Sequence, residues 1–300
     1  MAKQTSSEPA ARPPERVRLL ADCAALAREL APRLCGKGAE SCAWYHGFWP
    51  YLRLLDYGSS PELHQAFYLA GLAPLTALPQ PRILVSGAAD FAMLEVARAA
   101  FADSASRPRF TVADRCKTPL ALCRWYAERE GFAVDTALAD MLAFQDAEGF
   151  DAIVTHSFLG NFSPEARPRL AARWHALLRP GGRVLTINRL RGERAAASTR
   201  FEAQEVNDFQ ARLLADLERY RDLLDAAPSE IAALAAPYLS EKRSFPVRTR
   251  EELKSLFEDA GFELEALSDL DASDPGESRP AGPTMPGGAT YVKVIASRKA

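Results

Sequence analysis

Arg82-Ile83-Leu84-Val85-Ser86-Gly87-Ala88-Ala89-Asp90-Phe91 is the stretch on which the fold turns. Its first five residues read as a short strand, and a helix over Phe91 to Ala102 follows at once. The small residues between them let backbone amides approach a ligand at the carboxyl edge of a sheet. The same residues also suit a tight turn in which Asp90 caps the helix.

Working outward, short apolar runs alternate with helical stretches. Strands are predicted at Arg82 to Ser86, Arg109 to Ala113, Ala133 to Leu138, Asp151 to Thr155 and Arg183 to Asn188. Helices over Pro119 to Glu130 and Pro164 to Leu178 continue the alternation. Such βαβ repetition specifies an α/β fold with a doubly wound, Rossmann-like parallel sheet. Thr249 and Glu252 form a capping box for a helix that ends at Gly261, and strands are expected at Phe262 to Leu267 and Thr290 to Ser297. The loop between those strands is rich in proline and glycine and has no periodicity.

Two additions flank this core. Leu19, Leu20, Cys23, Ala24, Ala27, Leu30 and Leu34 recur at helical spacing over Glu15 to Leu34, and Ser41 to Ala73 is unusually aromatic and helical in pieces. Pro74, Pro79 and Pro81 close that region. After strand five, Glu193 to Leu239 is charged and helical, with Phe201, Val206, Phe209, Leu213 and Leu217 on one face. The expected organisation is a disordered tail at 1–14, an N-terminal helical lid at 15–79, an α/β domain at 80–190 and 245–300, and a helical insertion at 191–244. The insertion's apolar face suits either docking onto its own sheet or dimerisation, so a monomer or a homodimer is expected.

Composition removes several classes. Hydrophobic residues make up 48% of the 300, and charged residues 25%, the balance of an ordinary globular protein. Thirty-seven Lys and Arg against thirty-nine Asp and Glu give a net charge of -2, which offers no global attraction for nucleic acid. No apolar run approaches the ~20 residues of a membrane span, and the polar N-terminus does not read as a secretory signal, so a cytoplasmic location is expected. The five cysteines, Cys23, Cys35, Cys42, Cys116 and Cys123, contain no C-x-x-C pair; the spacing points to no metal site, and Cys116 and Cys123 suit one helix face as small hydrophobes.

Asp114 ends strand two, where a carboxylate can accept hydrogen bonds from both hydroxyls of a ribose or cap the next helix. Asp140 and Met141 follow strand three, where they could meet an adenine amine and ring face or lie in a solvated loop. The dinucleotide fingerprint G-x-G-x-x-G is absent, which demotes a dehydrogenase. These features, continued through Phe150-Asp151-Ala152-Ile153-Val154-Thr155-His156-Ser157 and Leu177-Leu178-Arg179-Pro180-Gly181-Gly182-Arg183-Val184-Leu185, resemble the class I S-adenosylmethionine-dependent methyltransferases.

That resemblance implies S-adenosylmethionine as cofactor, a final antiparallel hairpin, and contacts from Ser86, Gly87, Ala88, Asp90, Asp114, Arg115, Asp140, Met141 and Thr155. The family's first motif usually has an acid near the end of strand one and three close glycines; here Val85, Gly87, Ala89 and Phe91 stand there. Asp90 is the candidate replacement for the acid, facing the cofactor's ammonium. Phe91 narrows the approach unless it turns into the core. His156 is the candidate general base or a histidine bonded to a loop carbonyl. Tyr45 and Arg53 are candidates for the sulfonium and carboxylate of the cofactor, with Trp49, His46 and Ser157 on the acceptor side. Aromatic residues at helical spacing equally form core. Arg189, Arg191 and Arg194 could meet an anionic acceptor or form a solvated rim. The reaction expected is in-line methyl transfer to a small-molecule N, O or S nucleophile; the alternative is a methyltransferase-like binding or scaffold protein without turnover.

Overall fold

The structure is a computed structural model that describes residues 14–38, 41–191, 203–242, 244–270 and 290–300. Seven strands form one sheet: β1 (Arg82–Ser86), β2 (Arg109–Asp114), β3 (Val134–Leu138), β4 (Phe150–His156), β5 (Leu178–Leu190), β6 (Phe262–Asp269) and β7 (Thr290–Arg298). Their order is β3-β2-β1-β4-β5-β7-β6, parallel through the first five, with β7 antiparallel to both its neighbours. β1 lies between β2 and β4, so the winding reverses beside it; a crevice opens at such a point beyond the strand ends.

The middle of the central strand, Ile83-Leu84-Val85, is apolar because both sheet faces are covered. Ile83 and Val85 join one buried cluster with Tyr68, Leu94 and Leu122, while Leu84 joins another with Trp174 and Phe257 on the far face. The covering helices are α4 (Gln65–Leu72), α5 (Ala92–Ala99) and α6 (Lys117–Arg129) on the first face, and α7 (Arg167–Leu177) and α11 (Arg250–Asp259) on the second. Thr249 caps α11 by accepting from Glu252 N at 3.1 Å, and Glu252 accepts in return from Arg248 N, one residue earlier than a strict capping box would place it. Strand five starts at Leu178 rather than Arg183, since Leu178 pairs with Phe150 before the Pro180-Gly181-Gly182 turn.

A second layer sits over the crevice. It begins with α1 (Pro14–Leu34), α2 (Ala43–His46) and α3 (Trp49–Leu54), and it is completed by α8 (Ala203–Glu218), α9 (Pro228–Ala233) and α10 (Ala235–Glu241) from the segment after β5. Phe209, Leu213 and Leu217 of α8 with Ile231 and Tyr238 pack against Phe48, Trp49, Tyr51 and Leu52. The apolar face of the insertion is therefore spent on the N-terminal helices, not on its own sheet. The expectations for residues 1–13, for the proline- and glycine-rich loop within 271–289, and for Arg194 and Phe201 lie outside the described residues. Among the described residues no helix is long and apolar enough to cross a membrane.

Candidate active site

A cavity of about 1030 Å³ lies between the sheet rim and the second layer. Its floor includes Gly87, Ala88, Ala89, Asp90, Asp114, Arg115, Asp140, Met141, His156 and Ser157; Tyr45, Trp49 and Lys242 face it from above. The floor is built by backbone. Gly87 has φ +74°, and a Cβ at that position would overlap the Phe158 ring, so only glycine fits between strand and ring. Phe91 leaves the rim open: it is fully buried, stacked on Tyr126 at 4.4 Å with planes 9° apart.

Asp114 is turned toward the glycine turn. Its Oδ2 accepts from Ala88 N at 2.9 Å and its Oδ1 from Cys116 N at 2.7 Å. A carboxylate has about four acceptor positions, so two remain for a ligand's hydroxyls. Burial pushes its pKa above the ordinary value, against the pull of the two amides.

Arg53 is placed otherwise than the sequence suggests. Its guanidinium is fully buried, does not line the cavity, and is ion-paired with Glu62 at 2.9 Å, Glu95 at 3.0 Å and Asp90 at 3.2 Å, with Phe91 beneath it at 4.4 Å. A cation so surrounded by carboxylates is a joint between α3, α5 and the glycine turn rather than a cofactor ligand. Asp90 Oδ1 also accepts from Ala92 N at 2.7 Å, whereas its buried Oδ2 has no hydrogen-bond partner among the described residues.

His156 is held by both ring nitrogens. Tyr68 donates its hydroxyl proton to Thr155 O at 2.8 Å, so its oxygen is left to accept from His156 Nδ1 at 3.0 Å. That assigns the proton to Nδ1 and leaves Nε2 as the acceptor for the Ser59 hydroxyl at 2.8 Å. Burial, and secondarily His64 stacked at 5.4 Å, hold its pKa well below the usual histidine value. The imidazole is therefore neutral at physiological pH, with its basic nitrogen toward a hydroxyl that also lines the cavity. Ser157 beside it has φ +51°, and its buried Oγ has no partner among the described residues. A non-glycine residue in that conformation is a strained backbone position of the kind that gathers at functional sites.

At one end of the cavity stand Arg189, Arg191 and Lys242. Burial, then the two arginines, lower the Lys242 pKa to about 7, and burial with Arg191 lowers Arg189 to about 10. Lys242 Nζ donates to Tyr238 Oη at 2.7 Å. Burial is the larger cause of both depressed values and the neighbouring cations the smaller, and an anion bound beside them would favour the charged forms. Asn188 lines the same region and carries a buried Oδ1 without a hydrogen-bond partner among the described residues.

Other expected residues are placed variously. Ser86 and Thr155 lie beneath the rim, outside the cavity lining: Thr155 Oγ1 donates to Ser86 O at 2.7 Å, and Trp174 Nε1 donates to Ser86 Oγ at 2.9 Å. Tyr45 and Trp49 do face the cavity, stacked on each other at 5.6 Å. Gly58 makes room for the Trp49 indole, which a Cβ there would strike. His46 lines the cavity but contacts Cys35 Sγ through Nδ1 at 3.5 Å, away from the role of an acceptor-site group. Cys116 precedes α6 in an extended conformation and is buried in a small cluster with Ala31 and Cys35, while Cys123 of α6 lies in the main core. Ser59, Tyr68, Asn188 and Lys242 escaped sequence reasoning because each stands alone in its stretch, without a motif.

The orphaned Asp90 Oδ2, the paired acceptor positions of Asp114 and the glycine cradle fit the aminoacyl, ribose and backbone-facing parts of a nucleoside sulfonium. Fold and rim together define a Rossmann-like sheet with an open cavity at the carboxyl edge of its strands. Residues 90–182 match the family model described as a methyltransferase domain. That match covers less than half of the chain and identifies a methyltransferase domain within it. No curated protein matches it. A Bordetella parapertussis structure described as a possible exported protein is similar over 97% of this chain and 100% of that one, at 16% identity and a TM-score of 0.51. The N-methyltransferase NodS from Bradyrhizobium japonicum, in complex with S-adenosyl-l-homocysteine, is similar at 14% identity over 86% of this chain and 99% of that one, with a TM-score of 0.47. The S-adenosylmethionine-dependent methyltransferase SibL is similar at 18% identity over 94% and 70%, with a TM-score of 0.48.

Proposed function

We propose that the protein transfers a methyl group to an anionic small molecule through an N, O or S nucleophile, with His156 as the base. The observation that carries this reading is a neutral, oriented imidazole between the Gly87–Asp114 rim and the Arg189, Arg191 and Lys242 group, all facing one cavity. The volume, about 1030 Å³, exceeds what one drug-sized ligand needs and leaves space for cofactor and acceptor together.

When bound, S-adenosylmethionine supplies an electrophilic methyl on a positively charged sulfur. Asp114 would hold the ribose hydroxyls, Asp90 would pair with the ammonium, and Asp140 with Met141 would take the adenine. The three cations anchor the acceptor's negative group and so fix the angle of its nucleophile, which is the main contribution available in an in-line displacement. His156 Nε2 takes the proton of a hydroxyl, thiol or protonated amine, directly or through Ser59, while Tyr68 keeps the ring oriented. Tyr45 and Trp49 exclude water and offer ring faces to a cation.

The test is incubation with isotopically labelled S-adenosylmethionine and a panel of carboxylate-, phosphate- and sulfate-bearing acceptors, read by mass spectrometry. A labelled methylated anion is expected, with neutral analogues turned over at least about tenfold more slowly. Calorimetry with S-adenosylmethionine and its demethylated product gives the opposing result: binding of neither would leave a scaffold, and preference for neutral acceptors would remove the anion-binding part.

A further inference from the structure

We propose that Cys35, Cys42, His46 and Cys116 form a zinc site that ties the N-terminal helices to the end of β2. The four come from three separate places: Cys35 just after α1, Cys42 and His46 around α2, and Cys116 beyond β2. Their ligand atoms all lie within 4.8 Å of one another. Cys116 Sγ is 3.5 Å from both Cys35 Sγ and Cys42 Sγ, and Cys35 Sγ is 3.5 Å from His46 Nδ1.

Those spacings are close to the edges of a tetrahedron around one ion. Zinc–sulfur bonds of about 2.3 Å at tetrahedral angles set sulfurs about 3.8 Å apart, and zinc–nitrogen bonds of about 2.0 Å bring the imidazole slightly closer. Three thiolates and one imidazole complete a closed coordination shell with no position for water, which is the donor set of a structural zinc rather than a catalytic one. A single disulfide accounts for the geometry less well. Cys116 stands equally near two sulfurs but can bond only one, which would strand the third thiol and the histidine. Partners beyond the ligands are in place: Thr118 Oγ1 lies 3.2 Å from Cys35 Sγ, and Cys116 N donates to the Asp114 carboxylate at 2.7 Å.

The position gives the ion a consequence for the neighbouring cavity, because Cys116 is both a ligand and the amide that orients Asp114. Loading the metal would hold the second layer against β2 and preset the ribose-binding acid. Metal content, however, is independent of whether any methyl group is transferred.

The full-length protein, purified under reducing conditions, should contain about one zinc per chain by elemental analysis. After zinc removal, cobalt(II) should restore the site and give the intense visible absorption of tetrahedral thiolate coordination. Cys116→Ser should lower the zinc retained on dialysis by more than about tenfold, since even partners outside the ligand set commonly change affinity by that much. Cys23→Ser, a buried thiol outside the cluster, should keep it. If Cys116→Ser does not fold, the cobalt spectrum of the unaltered chain decides alone. A reduced, folded protein that holds neither zinc nor cobalt, or that binds cobalt without thiolate-to-metal absorption, overturns the proposal. So does recovery of a Cys35–Cys116 or Cys42–Cys116 disulfide with no metal uptake after reduction.

Discussion

The floor and the roof of the cavity are made by different means. The floor places ligand-facing groups with backbone: a glycine at φ +74°, amides of Ala88 and Cys116 on one carboxylate, and strand ends held in parallel register. The roof places them with side chains from α2, α3 and the end of α10, which share an apolar cluster. A backbone-built surface is intolerant at single positions and generic in what it binds. A side-chain-built surface can be rewritten, and so is where the specificity of the proposed acceptor site would reside.

The sharpest way to break this comparison is at the joint between the two. Arg53→Met should cost about 3–5 kcal/mol in chemical denaturation, because Asp90 would be left buried without its cation, while Glu62 and Glu95 would keep only Arg16. A loss under about 1 kcal/mol would mean that roof and floor are held by apolar packing alone.

On the floor, Asp114→Asn should weaken S-adenosylmethionine binding by about 10–100-fold, the worth of a charged acceptor exchanged for a neutral one. Acceptor KM should be little changed. At the boundary, His156→Ala should lower kcat about 100-fold while leaving cofactor affinity as it was. Because its pKa is held well below the usual value, the protein should show no loss of kcat from His156 protonation between pH 6.5 and 8.

The smallest effect is expected on the roof and tests whether it reads charge. Lys242 is protonated below about pH 7 and neutral above, so affinity for an anionic acceptor should fall several-fold as pH rises through about 7. Lys242→Met should remove that dependence. The same depressed value works oppositely on stability. Between about pH 7 and the unfolded lysine value near 10.4 the unfolded chain binds the extra proton, so this group's unfavourable contribution shrinks as pH rises and is largest below about 7.

How far the site could be read in one dimension follows the same division. Gly87, Asp114, Asp140 and His156 stand at strand ends, and a strand end is announced by local signals: an apolar run, a small-residue turn, the start of a helix. Each lines the cavity as those positions required. Ser86 and Thr155 belong to the same motifs but point beneath the rim, because neighbouring residues in a strand alternate between faces. Arg53 was chosen for its charge alone, and charge does not reveal which acids will surround it.

The amino-acid sequence by itself determined the wound sheet, the carboxyl ends of its first four strands to within a residue, and the capped helix at Thr249, since those rest on periodicity and turn chemistry within a few residues of one another. Only the tertiary structure decided that Phe91 turns inward onto Tyr126, that Ser59 and Tyr68 fix the tautomer of His156, and that Cys116 meets Cys35, Cys42 and His46. Those contacts join residues far apart in the chain, and no local pattern encodes a distance that folding alone brings to a few ångströms.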